Sequence, residues 1–287
     1  MDLAAFAARH LPALEADEAR HNVMIAVLLK ALAERDPALR VWSLGAPGVC
    51  ALQSGTWPVV LGNLDRAAGR DLASALKGEA CSGTVGPDST ALWVAEDLCA
   101  QGLRLVETVA QQIYRIDCPP RGPEIAGRAR PAEARDAGLI ADWMLAFHRE
   151  ATPHNELPER ETLEAPAYWS RHWLWEVAGQ AVSTAGSHRR TRNCLVVTGV
   201  YTPPDRRGRG YAGAATAALV RSALEAGTPA ACLYTDLANP AANRCYQGLG
   251  FRPWCPSHHC ILTGEVSAVG RYSKSRVGGL ANDDDLR

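Results

Sequence analysis

The stretch VYTPPDRRGRGYA, residues 200–212, constrains this chain more than any other. An apolar run, CLVVTGVYT, ends in it, and an alanine-rich run, GYAGAATAALVRSALEAG, grows out of it. Pro203 and Pro204 lack the N–H that a ladder needs, so the strand must stop there. Gly208 and Gly210 permit backbone that a side chain would forbid, and let another molecule approach the main chain. The alanine-rich run reads as a helix ended by Gly227. The first N–H groups of such a helix have no internal partner and carry the positive end of its dipole. Strand, glycine-bearing turn and helix start together predict an anion site suited to a pyrophosphate, with Arg206, Arg207 and Arg209 adding charge around it.

Other readings fit parts of this stretch. A P-loop would need Gly-Lys-Ser/Thr, which is missing. A Rossmann turn has a literal match in Gly208-x-Gly210-x-x-Gly213, and Asp236 ends the next strand near the expected distance of about 20 residues. Against it, TPPDRR separates the strand from the first glycine. An arginine-rich solvated turn is the bland alternative.

A second segment, NPAANRCYQGLGF at residues 239–251, follows the strand CLYTDL. Arg207-x-x-Gly210-x-Ala212 and, about thirty residues later, Asn-Pro-x-x-Asn-x-x-Tyr-x-x-Leu-Gly-Phe together strongly resemble the GCN5-related N-acetyltransferase (GNAT) family. The resemblance covers roughly residues 126–263. It implies a mixed α/β sheet splayed between its fourth and fifth strands, with acetyl-CoA in the gap. By the same resemblance the backbone of Val200, Tyr201 and Thr202 would bind the pantetheine arm. Main-chain N–H groups of Arg207, Gly208, Arg209, Gly210, Tyr211, Ala212 and Gly213 would cradle the pyrophosphate. Asn239 and Asn243 would lie beside the pantetheine. Tyr246 occupies the position of the general acid that protonates the leaving thiolate, although a buried packing aromatic is the plainer reading. The Val200 N–H is the natural donor to the oxyanion.

One departure matters. Some relatives carry a glutamate on the fourth strand as general base, and residues 195–201 contain no Asp or Glu. Glu150, Glu176, His188 and Asp236 are the candidates for that task. The expected function is direct acetyl transfer from acetyl-CoA to a primary amine, with a small molecule as acceptor. A non-catalytic CoA-binding or regulatory module is the alternative, and the absent strand carboxylate is its support. Glu150, Glu156 and the aromatic run YWSRHWLW (residues 168–175) are candidate walls of the acceptor pocket, the run otherwise being core.

The length of 287 residues, 47% of them hydrophobic, suits two domains. Residues 1–117 match the family pattern only loosely. They read as a smaller α/β domain, a degenerate half of the same fold without the phosphate loop. Helix is expected over residues 2–35 with a break near Pro12, and another helix from 88 with Asp88 as its cap. In this half CSGTVGPDST marks where a strand-to-helix turn might fall, and no second CoA is expected there. CPPRGPEIAG, residues 118–127, is the linker. The GNAT domain follows over 128–263, and a loose polar tail over 264–287. A net charge of −1 offers no broad field for nucleic acid or an anionic membrane. The start, MDLAAFAARH, lacks a basic n-region, so the nine cysteines are expected to be reduced, mostly buried thiols in the cytoplasm. No metal is expected: CPSHHC (255–260) with Cys245 matches no standard finger, and alternate side chains of a strand face opposite ways.

Overall fold

The computed structural model describes residues 2–153, 156–189 and 191–264, so the expected tail, Gly264 apart, lies outside the described residues. The first half runs α1 (Leu3–Glu15), α2 (Glu18–Glu34), β1 (Leu39–Ser43), β2 (Cys50–Ser54), β3 (Val59–Leu61), α3 (Arg66–Ala75), β4 (Gly83–Pro87), α4 (Thr90–Ala100) and β5 (Arg104–Ile116). The second runs β6 (Arg128–Pro131), α5 (Ala137–Ala151), α6 (Arg160–Glu164), α7 (Pro166–Trp169), β7 (His172–Val177), β8 (Gln180–Arg189), β9 (Cys194–Tyr201), α8 (Tyr211–Glu225), β10 (Ala230–Asp236), α9 (Pro240–Leu249) and β11 (Arg252–Thr263).

All the strands join one mixed sheet, in the order β1-β2-β3-β4-β11-β5-β10-β9-β8-β7-β6. That order contains a repeat. Each half has a parallel pair closed by a helical crossover, β3–α3–β4 and β9–α8–β10. Each continues through one more helix to a last strand, β5 or β11. Neither last strand stays beside its own half's pair: β5 lies against β10, and β11 lies against β4. The two last strands pair antiparallel with each other, from Arg252 opposite Arg115 to Thr263 opposite Arg104. An approximate two-fold axis through this seam relates the halves, and β6 has no counterpart in the first.

The two-residue period of the strands divides the core between faces. Ala51, Val59, Leu61, Cys260 and Leu262 pack under α3 and α4. Their neighbours Cys50, Leu52 and Val60 pack under α1 and α2 on the other face. In the second half Tyr114, Ile116, Val197, Ala231 and Leu233 meet α8 and α9, whereas Leu174 and Tyr201 meet Trp143 and Met144 of α5. A cluster spanning both halves joins Ala19 of α2 to Ile113, Val196, Cys232 and Cys255. Buried Glu18 adds a polar tie, accepting from the backbone N–H (2.7 Å) and side-chain amide (2.8 Å) of Asn193.

Some local expectations shift. Pro12 is carried inside α1, and the chain turns at Ala16, where Asp17 caps α2 by accepting from the Arg20 N–H (3.2 Å). Asp88 does not cap α4. Its φ is +51°, its carboxylate pairs with Arg20, and Ser89 takes the cap position. The linker segment is pinned at two points: the Arg121 N–H donates to the Leu249 carbonyl (2.9 Å), and Arg221 Nη2 donates to the Pro120 carbonyl (3.1 Å). Six of the nine cysteines are buried, and Cys118 in the linker is exposed.

Because β5 and β11 are exchanged, the halves should unfold together. Urea unfolding followed by tryptophan fluorescence and by circular dichroism should give one coincident transition. Ile113→Ala, in the shared cluster, should move that whole transition, at a cost of about 2–4 kcal/mol. Two separated transitions would contradict this account of the sheet.

Candidate functional site

The strands β9 and β10 pair for three rungs only, Cys194 with Ala230, Leu195 with Ala231 and Val196 with Cys232. Beyond them residues 197–201 and 233–236 have no rung in common, and the sheet opens as a fork. On the other side of β9 the register with β8 slips: β8 advances from Thr184 to Gly186 while β9 retreats from Tyr201 to Thr198. The extra residue is a bulge, a device common beside active sites. Gly199 makes it possible. Its φ is +56°, and a Cβ there would stand 2.9 Å from Met144 Sδ. Val200, the next residue, faces no partner in either ladder.

The turn after β9 is held from within. Thr202 is buried, its hydroxyl 2.8 Å from Ser183 Oγ. Arg207 Nε donates to the Thr202 carbonyl (2.9 Å), and its Nη2 donates to Glu150 Oε2 (2.6 Å). The Tyr201 hydroxyl donates to the other Glu150 oxygen (3.1 Å). Arg207 therefore ties the turn to α5, which leaves the anion-facing part to backbone N–H groups. Arg206 pairs with Asp205 (3.1 Å), and Arg209 Nη2 donates to the Asp205 carbonyl (3.4 Å).

The three glycines of the turn serve different ends. Gly208 (φ +76°) is open, with nothing within 4 Å of where a Cβ would be. Gly210 (φ +82°) is the N-cap of α8 and provides no side-chain cap, so the first N–H groups of that helix stay available. A Cβ on Gly210 would point at Pro123 and Ile125 of the linker, and one on Gly213 at Cys245 Sγ (3.3 Å) on α9. Gly210 thus serves conformation, and Gly213 the close approach of two helices.

CSGTVGPDST does hold a strand-to-helix turn, from β4 into α4, but the corner equivalent to β9–α8 lies between β3 and α3. There Asp65 caps α3, accepting from the Ala68 N–H (2.8 Å). A carboxylate of the chain already occupies that helix start.

The second motif supports α9. Asn239 caps it, accepting from the Ala242 N–H (3.0 Å). Asn243 donates to the carbonyls of Asp236 (2.8 Å) and Asn239 (2.7 Å) and accepts from the Tyr114 hydroxyl (2.9 Å). These bonds fix α9 to the end of β10 and to β5. Tyr246 is buried edge-on to Phe251, ring centres 6.1 Å apart, and burial pushes its phenol pKa up. Its hydroxyl has no hydrogen-bond partner among the described residues.

The base candidates separate clearly. Glu176 is buried between Arg130 (2.6 Å) and Arg128 (3.1 Å), and the hydrogen bond from Arg130 holds its pKa below the usual range. Asp236 accepts from the Ala238 N–H (2.8 Å). Glu150 is taken by Arg207 and Tyr201. His188 is different. Its Nε2 lies 2.8 Å from His172 Nε2, its ring stacks on Tyr168 at 4.0 Å, and Gly186 makes room for both imidazoles. The Thr184 hydroxyl donates to the Trp173 carbonyl (3.1 Å), so His172 Nδ1 must donate to Thr184 Oγ1 (2.8 Å). His188 Nε2 then donates to His172, which leaves buried His188 Nδ1 a bare lone pair without a partner. Burial lowers His172 to about 4 and depresses His188 as well, so both are neutral at pH 7. His172 also neighbours the bulge, its Cε1 3.4 Å from where a Gly199 Cβ would be.

A cavity of about 450 Å³ borders the fork on the α2 and α5 face. Thr152 just past α5, Arg189 of β8 and Tyr234 of β10 line its end beside the fork, and Val23, Val27 and Trp57 line its body. Sequence reasoning missed Gly199, the pairing of His172 with His188, and this cavity. A lone glycine inside a strand was the one available signal, for the bulge. Among the described residues no three His, Cys, Asp or Glu side chains gather as metal ligands, and no helix is long and apolar enough to cross a membrane.

Comparison with known proteins gives this geometry its setting. The acetyltransferase (GNAT) family profile matches residues 139–251. No curated protein matches the chain by sequence. A GCN5-related N-acetyltransferase from Kribbella flavida is 20% identical with a TM-score of 0.52, over 85% of this chain and 96% of its own. A Drosophila protein reaches a TM-score of 0.60 at 11% identity, over 84% and 90%. A tandem GNAT protein from the clavulanic acid biosynthesis pathway reaches 0.51 at 12% identity, over 86% and 89%. These likenesses are of fold, and the tandem protein fits the two-half arrangement seen here. Residues 139–251 thus match the GNAT acetyltransferase family, and the fold around them is the one these neighbours share.

Proposed function

We propose that the chain is a cytoplasmic, acetyl-CoA-dependent N-acetyltransferase that moves an acetyl group directly to a primary amine of a small molecule. The observation that carries this reading is the fork between β9 and β10, with a glycine bulge on one arm and an uncapped helix start at its end. The residues present fit the cofactor. Gly208 leaves open space, and α8 offers N–H groups that no side chain satisfies. Bound there, acetyl-CoA supplies the acetyl thioester.

The chain's own groups have these tasks. The Arg207 N–H already donates to the Pro204 carbonyl (3.3 Å), so the backbone N–H groups of residues 208–213 would hold the pyrophosphate, and the edge of Val200, Tyr201 and Thr202 that β10 leaves unpaired would lie along the pantetheine. The Val200 N–H stabilises charge that builds on the carbonyl oxygen. Tyr246 stays protonated because it is buried, and its hydroxyl can deliver a proton to the departing sulfur. β9 carries no carboxylate at the fork, and the amine's proton passes through water to the bare His188 Nδ1. The amine enters through the cavity on the α2 and α5 face. The cavity is of ordinary small-molecule size.

The missing carboxylate on β9 favours one rival, a CoA-binding module without turnover. Thiol release from acetyl-CoA across small amines, histone-like peptides and tRNA separates the two. Release with small amines supports the enzyme. Modification of peptide or tRNA alone would overturn the choice of acceptor.

Two substitutions examine the parts. Gly208→Val faces open space, so its effect falls on the turn's φ and on the approaching pyrophosphate. It should weaken CoA binding in calorimetry more than tenfold, about 1.4 kcal/mol, and unchanged affinity would contradict the placement. Tyr246→Phe keeps the buried ring. It should lower kcat about 10²-fold with CoA affinity and Tm nearly intact. An unchanged kcat would make Tyr246 a packing residue only.

A further inference from the structure

We infer that the acceptor carries a carboxylate as well as an amine, and that Arg189 binds that carboxylate inside the cavity beside the fork. This rests on the transferase reading above. Glu34 faces Lys30 at 3.9 Å. Asp36 accepts from the Ser54 hydroxyl (2.9 Å) and from the Ala38 N–H (2.8 Å). Arg189 has no such balance: among the described residues no carboxylate lies within 4 Å of its guanidinium.

The guanidinium is nevertheless fixed. Its Nη1 donates to Asn22 Oδ1 (3.0 Å), and it lies over the Tyr234 ring, 5.1 Å from the centre. Asn22 is buried and is itself oriented, donating to the Ala19 carbonyl (2.7 Å) and the Tyr234 hydroxyl (3.2 Å). Three elements, α2, β8 and β10, thus hold one cation whose Nε and Nη2 have no acceptor among the described residues. A planar fork of donors held on an apolar wall matches a carboxylate bidentately.

Its position suits an acceptor rather than the cofactor. Arg189 stands opposite Val196, the last paired rung before the fork. Val200 is four residues further along β9, about 13 Å at ~3.3 Å per residue. A molecule anchored at Arg189 must therefore be extended to present its amine at Val200. Val23 and Val27 offer an apolar wall for the chain between its two ends.

The test is calorimetric titration of the full chain with ε-aminocaproate and with hexylamine, which differ in the carboxylate. The wild type should bind ε-aminocaproate at least about tenfold more tightly, the scale of a charge-assisted bidentate pair. Arg189→Met should abolish the difference, and Arg189→Lys should restore part of it. Equal affinity of the two probes in the wild type would overturn the inference without any variant. A preference that survives in Arg189→Met would do the same. The titration needs no turnover, so the two readings fail separately. Carboxylate-dependent binding without acetyl transfer would remove the transferase and keep the Arg189 site. Transfer to hexylamine with no preference for ε-aminocaproate would remove the Arg189 site and keep the transferase.

Discussion

The antiparallel seam between β5 and β11 is the contact on which the rest of the structure depends. Each strand is the last of its half, and each completes the sheet of the other. The seam places α2 of the first half across β9 and β10 of the second. There Asn22, Glu18 and Ala19 reach Arg189, Asn193 and the shared core. A cavity with walls from both halves follows directly from that exchange. Without it α2 would not lie across β9 and β10, and the cavity would lose one side.

The two halves share a topology but differ in one decisive place. Where β3 runs into α3, Asp65 places a carboxylate on the helix N–H groups. Where β9 runs into α8, Gly210 leaves them bare. A helix start favours negative charge; the chain itself supplies it at the first, and the second is the proposed anion site. The first half has the same frame, with the start of its crossover helix satisfied by the chain itself. Its contribution to the second is α2, which roofs the cavity.

Much of this was legible because its cause is local. Two prolines ending a strand, two glycines able to take positive φ and an alanine-rich helix determine the turn at residues 200–213 whatever surrounds them. The Asn-Pro and Leu-Gly-Phe motif likewise marked α9, although its asparagines prove to hold that helix to β5 and β10. What stayed hidden depends on distant partners. The exchange of β5 and β11 leaves no trace in period or composition, because either strand would look the same paired at home. Asp88 has the chemistry of a cap, yet Arg20, far away in sequence, claims it. His188 gains meaning only when His172, Thr184 and Gly186 stand around it. Arg189 gains it only when Asn22 and Tyr234 do.

The central claim is that one fork, between β9 and β10, takes CoA, and that its counterpart between β3 and β4 does not. Hydrogen exchange read by mass spectrometry, with and without CoA, tests this most directly. Slowed exchange should be confined to peptides covering residues 197–213 and 239–247. Peptides over residues 59–68 and 84–90 should exchange as before. Protection of the first-half fork, or no protection at residues 197–213, would contradict the account.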